Sequence, residues 1–210
     1  MKKKPIIGLM GALVLAGCGS VRYPATYTLN LPPPVSKPAS EVALGTVAIR
    51  EFHCPEYLCE GRIVYRSSPE EVGFYEYRRW AVSPREAIMQ YVVDGLRARS
   101  LFQSVAIHEN GSAAAYLLSG NIERFEEVDE GRDVRVICTI SAQLLETRTR
   151  SVVWSETASE TVPVEKRDIR GVVSSLSAAT RMTVDHLIRS MADKLPAAMA
   201  RRSIEGRGGQ

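Results

Sequence analysis

From Arg132 to Arg148 the chain alternates. Val134, Val136, Cys138, Ile140, Ala142 and Leu144 fall on one parity, and Arg135, Thr139, Ser141 and Gln143 on the other. A period of two sends successive side chains to opposite faces, which makes this a half-buried antiparallel strand. Similar stretches flank it, Tyr116 to Val128 and Ser151 to Val162, with Asp129-Glu130-Gly131 and Thr149-Arg150 as the hairpin turns. A sheet apolar on one face has to bury that face against another layer. The chain supplies one at Asp168 to Leu195, where Val172, Leu176, Val184, Leu187, Ile188, Met191 and Leu195 recur at helical spacing and Pro196 is predicted to end the helix.

A second helix is marked at Ser83-Pro84-Arg85-Glu86. Ser83 is the N-cap, Pro84 takes the first helical position and Glu86 completes a capping box, with Ile88, Tyr91, Val92 and Leu96 on one face as far as about Arg99. Shorter strands are predicted over Glu41–Arg50, with a bulge at Gly45, then over Arg62–Arg66, Val72–Trp80 and Leu101–His108, and Asn110-Gly111 marks a turn. The expected fold is α+β: a single domain with a mixed, mostly antiparallel sheet and two main helices packed on one face.

The N-terminus has a different character. Lys2, Lys3 and Lys4 precede an apolar run from Ile6 to Ala16, the layout of a secretory signal. The run is too short to cross a bilayer, which takes about 20 helical residues. It closes in Leu15-Ala16-Gly17-Cys18, which resembles a bacterial lipobox: a leucine and two small residues before the cysteine that receives a diacylglyceryl group, becomes the mature N-terminus and is then N-acylated, commonly with palmitate. Two or three acyl chains anchor far more firmly than one, at about 0.8 kcal/mol per buried methylene. Gly19 is not the aspartate that retains enterobacterial lipoproteins in the inner membrane, so the resemblance implies the periplasmic face of the outer membrane. The expected division is a signal peptide over 1–17, a lipidated N-terminus and proline-rich tether over 18–40, one domain over 41–198 and a mobile tail over 199–210. Within the tether, Tyr27-Thr28-Leu29 and Leu31-Pro32 are candidates to dock as a short extended piece.

The net charge of +3 comes from 27 basic and 24 acidic side chains, and three of the lysines lie in the signal. The mature side chains therefore balance, which argues against a nucleic-acid partner. Cys54 and Cys59 flank Pro55-Glu56-Tyr57-Leu58 and are a candidate disulfide in an oxidising periplasm, worth about 2 kcal/mol on the loop-entropy model. A zinc site is the sharper alternative, but no second Cys or His pair follows at ligand spacing. Cys138, inside the alternation, reads as a buried free thiol. No GxSxG, HExxH or glycine-rich phosphate loop occurs. His53, His108 and His186 read as surface or turn residues, and Glu70-Glu71 and Glu126-Glu127 as solvated charges. No catalytic residue, metal site or cofactor is expected beyond the acyl groups on Cys18, and the chain reads as a non-enzyme.

Tyr65, Arg66, Tyr77, Arg79 and Trp80 form the candidate partner interface, because Tyr, Trp and Arg anchor protein contacts. The alternative is that the aromatics pack the sheet and the arginines solvate its edge. At Ile63-Val64-Tyr65-Arg66, and at Tyr77-Arg78-Arg79-Trp80-Ala81 running into a capped helix, the sequence resembles the ABC-type transport auxiliary lipoproteins. These include the paraquat-inducible protein C-like lipoproteins of MCE (mammalian cell entry) lipid-transport systems. The resemblance runs from Tyr27 to the last helix and implies an auxiliary component that moves phospholipid or other hydrophobic compounds between membranes. It also implies an MCE-domain periplasmic protein as partner, and a homo-oligomer fits a part that receives a conduit. Two rivals stand beside it: a stand-alone envelope-assembly or peptidoglycan-contacting lipoprotein, and a periplasmic hydrolase with an unrecognised site.

Overall fold

The computed structural model describes residues 23–36, 43–108 and 113–205, with side chains as far as Pro196. The signal peptide, Cys18, the Asn110-Gly111 turn and residues 206–210 lie outside the described residues. In chain order the elements are β1 (Ala25–Tyr27), β2 (Leu44–Ile49), α1 (Glu56–Cys59), β3 (Arg62–Ser68), β4 (Glu71–Trp80), α2 (Pro84–Arg99), β5 (Phe102–Ile107), β6 (Tyr116–Glu130), β7 (Asp133–Glu146), β8 (Ser151–Pro163) and α3 (Ile169–Glu205). All eight strands belong to one sheet.

The spine is β6. Along one edge it pairs antiparallel with β7 from Tyr116 opposite Glu146 to Glu130 opposite Asp133, and β7 in turn pairs with β8. Its other edge is shared. β2 takes Tyr116–Leu118 in parallel, His53 bridges to Asn121, and β3 takes Glu127 and Val128 in parallel. β5 extends the sheet beyond β2, and β4 and then β1 extend it beyond β3, so the sheet forks on that side. Four pairings are parallel and three antiparallel, but the long antiparallel ladders carry most of the register. The mixed, mostly antiparallel α+β domain expected from the sequence is what forms.

The two helices cover one face. α2 starts as its residues dictate, with Ser83 Oγ accepting the Glu86 N–H at 3.2 Å and Pro84 in the first turn, and ends at Ser100 in a left-handed cap (φ 49°). At the head of α3, Asp168 Oδ1 accepts the Gly171 N–H at 2.8 Å, the usual service of an aspartate to orphan donors there. Val172, Leu176, Val184, Leu187, Ile188, Met191 and Leu195 are all buried, each worth roughly 1.5–3 kcal/mol relative to exposure. The helix runs through Pro196 to Glu205, so the expected stop at Pro196 is corrected, and residues 199–205 have helical backbone where a tail was expected. A proline removes one backbone donor. Pro196 is exposed, so solvent stands in for the missing partner.

The expected tether is also revised. Residues 23–36 lie on the domain: β1 pairs in parallel with β4, the Ala81 N–H donates to Tyr27 O at 2.8 Å, and the Asn30 N–H donates to Ser177 Oγ at 3.0 Å. Arg181 Nη1 donates to Asn30 O at 2.9 Å, and Pro32, Pro33 and Pro34 lie by Tyr91, Gly95 and Ile188 of the two helices. The extended geometry favoured by three consecutive prolines lets residues 32–34, which have no backbone N–H to satisfy, follow the groove between the helices.

Candidate functional site

The register between β6 and β7 slips between Ile122 and Arg124, leaving Glu123 as a bulge. One extra residue exchanges the faces. Leu118 and Ile122 lie on the helix side before it, Phe125 and Glu127 after it, while Glu126 and Val128 go to the helix-free face opposite Ile137 and Arg135. Consecutive strand residues face opposite ways, and here both glutamates are buried, Glu126 at 1% exposure and Glu127 at 5%. The expectation that both are solvated charges is corrected. A period-two reading places side chains by parity and cannot register a bulge that moves the parity by one.

On the helix-free face, Glu126 accepts from Arg66 Nε at 3.1 Å, Arg66 Nη2 at 3.0 Å and Arg124 Nε at 2.8 Å. Arg66 Nη1 also donates to Pro69 O at 2.8 Å. The Glu126 carboxylate raises the pKa of the Arg66 guanidinium, its main effect being the hydrogen bond. These groups, with Tyr57, Pro69, Val128 and Ile137, wall a cavity of about 780 Å³. A second hollow of about 740 Å³ lies at the far end, walled by Arg50, Ser119, Asn121, Ser141, Gln143, Ser155 and Thr157. Glu156 also lines the second hollow, its carboxylate accepting from Ser190 Oγ and Lys194 Nζ.

On the helix side, the Tyr75 hydroxyl donates to Glu127 at 2.7 Å. Burial pushes the Glu127 carboxyl up, more than the hydrogen bond from Tyr75 brings it down, and burial followed by the Glu127 charge raises the Tyr75 phenol. Tyr65 meets Tyr75 edge-on with centroids 5.5 Å apart. Its ring crosses Gly73, where a Cβ would stand 2.2 Å from Tyr65 Cζ, so only glycine lets the ring lie there.

The sequence-predicted interface residues are not gathered on one surface. Tyr65 is half-buried, and Arg66 is engaged with Glu126 on the other face of the sheet. Trp80 is buried 5.8 Å from Phe125, and Arg79 donates to Tyr75 O and Arg78 O, both at 3.1 Å. Tyr77 is the exposed one, at 38%. Cys54 and Cys59 are bonded across α1 with Cα atoms 6.3 Å apart, an arrangement that sinks Leu58 into the core and brings Tyr57 to the charged cavity. Cys138 is fully buried, and burial pushes its thiol up to about 12, which leaves it inert. His53 bridges to Asn121 through its backbone, and His186 Nδ1 lies 4.0 Å from Glu160. Among the described residues no three His, Cys, Asp or Glu side chains gather as metal ligands, and no helix is long and apolar enough to cross a membrane.

The ABC-type transport auxiliary lipoprotein component model matches residues 27–192, almost the whole described body. The chain belongs to this family. It is a family of transport auxiliary lipoproteins and not of enzymes. The match begins at Tyr27 in β1, so residues 27–36 of the docked strap fall within it. Among solved structures, a Xanthomonas campestris protein of the DUF330 family is 18% identical, covering 85% of this chain and 99% of its own, with a TM-score of 0.68. A second, titled only as an uncharacterized protein, is 14% identical over 80% of this chain and 99% of its own, with a TM-score of 0.63. At these identities the likeness is one of fold. No curated protein matches the chain.

Proposed function

We propose that this transport auxiliary lipoprotein is non-enzymatic, anchored through acyl groups on Cys18 to the periplasmic face of the outer membrane, and serves an MCE-type ABC system that moves phospholipid or other hydrophobic compounds between membranes. The family match over residues 27–192 is the observation that carries this reading. The site chemistry supports it: on the helix-free face Arg66 and Arg124 are both engaged with the Glu126 carboxylate, and the Cys138 thiol is buried. The acyl anchor fixes one end, and the rigid domain gives an MCE-domain protein something to rest on.

Replacing Cys18 with alanine tests the anchor. The expected result is a folded domain released from the membrane and loss of transport. Full transport by the released domain overturns the anchoring mechanism. Crosslinking in native membranes tests the partner, and recovery of envelope-assembly or peptidoglycan components without any MCE-domain protein would displace the transporter from the account.

A further inference from the structure

We propose that the outer edge of β4, with Tyr23 and Tyr77 beside it, is the face that rests on the membrane, its occupant the headgroup layer of a phospholipid bilayer. This deepens the function proposed above and rests on Cys18 as the point of attachment.

The strap fixes the first backbone pairing after the anchor. Ala25 is already paired with Arg78, so the reach from the anchor to the body is only the chain from position 18 to position 25. Drawn straight, seven residues reach about 24 Å. β1 is parallel to β4, so the chain leading back from Ala25 runs toward the start of β4, and the strand from Arg78 to Glu71 spans about 23 Å. A sulfur tied to the bilayer therefore comes no farther out than the beginning of β4, even on a fully stretched chain. A relaxed chain falls short of that, so the bilayer meets the molecule on surface within this reach of Ala25, and the open edge of β4 lies inside it.

That edge is made for such a place. β1 covers β4 only at Arg78, Arg79 and Trp80, so among the described residues Glu71–Tyr77 has no strand on its outer side. Unpaired donors and acceptors of an edge strand want polar partners, which water and headgroups supply. Tyr23 at 83% exposure and Tyr77 at 38% are the exposed tyrosines here. An aromatic ring with a polar tip suits the boundary between acyl chains and water. Arg62, 3.8 Å over the Phe74 ring, is paired with Glu60, and Glu71 and Glu76 are exposed on the strand, so the contact rests on the tyrosines and the open backbone and not on charge.

The test uses the mature chain, residues 18–210, coupled through the Cys18 thiol to a maleimide phospholipid in vesicles of phosphatidylethanolamine and phosphatidylglycerol. Cys138 is buried and Cys54 is bonded to Cys59, which leaves Cys18 to react. Hydrogen exchange of the 71–77 amides should slow several-fold relative to vesicles without the reactive lipid, while the β7–β8 turn at 147–150 is unchanged. Inserting about fifteen Gly and Ser residues after Gly19 should remove the protection. Unslowed β4 amides, protection at the 147–150 turn, or protection that survives the long insert overturns the proposal. So does protection of uncoupled chain that grows with its concentration, which assigns the edge to a second copy. Because the maleimide supplies the anchor, this result stands whatever cells do to Cys18, and incorporation of labelled palmitate decides that separately.

Discussion

At the scale of single residues, the two buried glutamates behave oppositely because their partners differ. Glu126 is a buried carboxylate between two guanidinium groups that keep part of their surface in water, at 19% and 41% exposure, and removing it leaves those donors without their acceptor at a cost of about 1–3 kcal/mol. Glu126→Ala should lower urea-unfolding stability by that order, and Arg66→Met in the same background should recover part of the loss. Glu127 has only the Tyr75 hydroxyl, and its carboxyl is raised above the ordinary range by burial. The folded state therefore holds the proton more tightly than the unfolded chain. Stability from this group is full below the ordinary carboxylate range of about 4 and falls as pH rises through the raised value. Glu127→Gln, which still accepts from Tyr75, should be more stable than the parent near neutrality by about 1 kcal/mol, with the difference closing in acid. An acid–base series of denaturant midpoints checks it, and a difference that widens in acid contradicts the assigned sign.

Among the elements, the strap and the disulfide loop each hold a segment with little secondary structure of its own. Reducing the Cys54–Cys59 bond, or replacing both cysteines with serine, should cost about 2 kcal/mol. Tyr57 would then leave the charged cavity, readable as faster exchange at Arg66 and Glu126. Deleting residues 18–36 exposes Trp80's flank of β4 and the helix groove beneath Pro34. Differential scanning calorimetry should show a lowered Tm for that variant, whereas a free tether would leave Tm unchanged. The strap was only partly legible in the sequence: Tyr27-Thr28-Leu29 has strand character, but composition rich in proline is the same for a linker and for a docked extended segment. What separates the two is the Asn30 contact with Ser177 and Arg181, whose positions are about 150 residues away in the chain.

For the whole molecule, the fork at β6 joins two arms of the sheet under one pair of helices, and the buried side chains form a single cluster from Val47 to Leu195. Trp80 lies in one arm and Trp154 beside α3 near Ser190, so variants retaining one tryptophan each should report the same urea midpoint. Separate midpoints would mean that the arms unfold independently. The three long strands, both main helices with their starts and the α+β class could be read from residue order alone, because periodicity and capping are local and act within a few residues. The N-terminal pattern read as a signal, with Cys18 after it, is likewise local. Long-range pairing settled the rest: β6 is shared by β2 and β3 in parallel, the bulge at Glu123 sets which face each of the buried Glu126 and Glu127 takes, and the proline-rich strap belongs to the body. Those outcomes depend on which distant backbone happens to lie alongside and on which charges meet across it, and no local pattern carries that information.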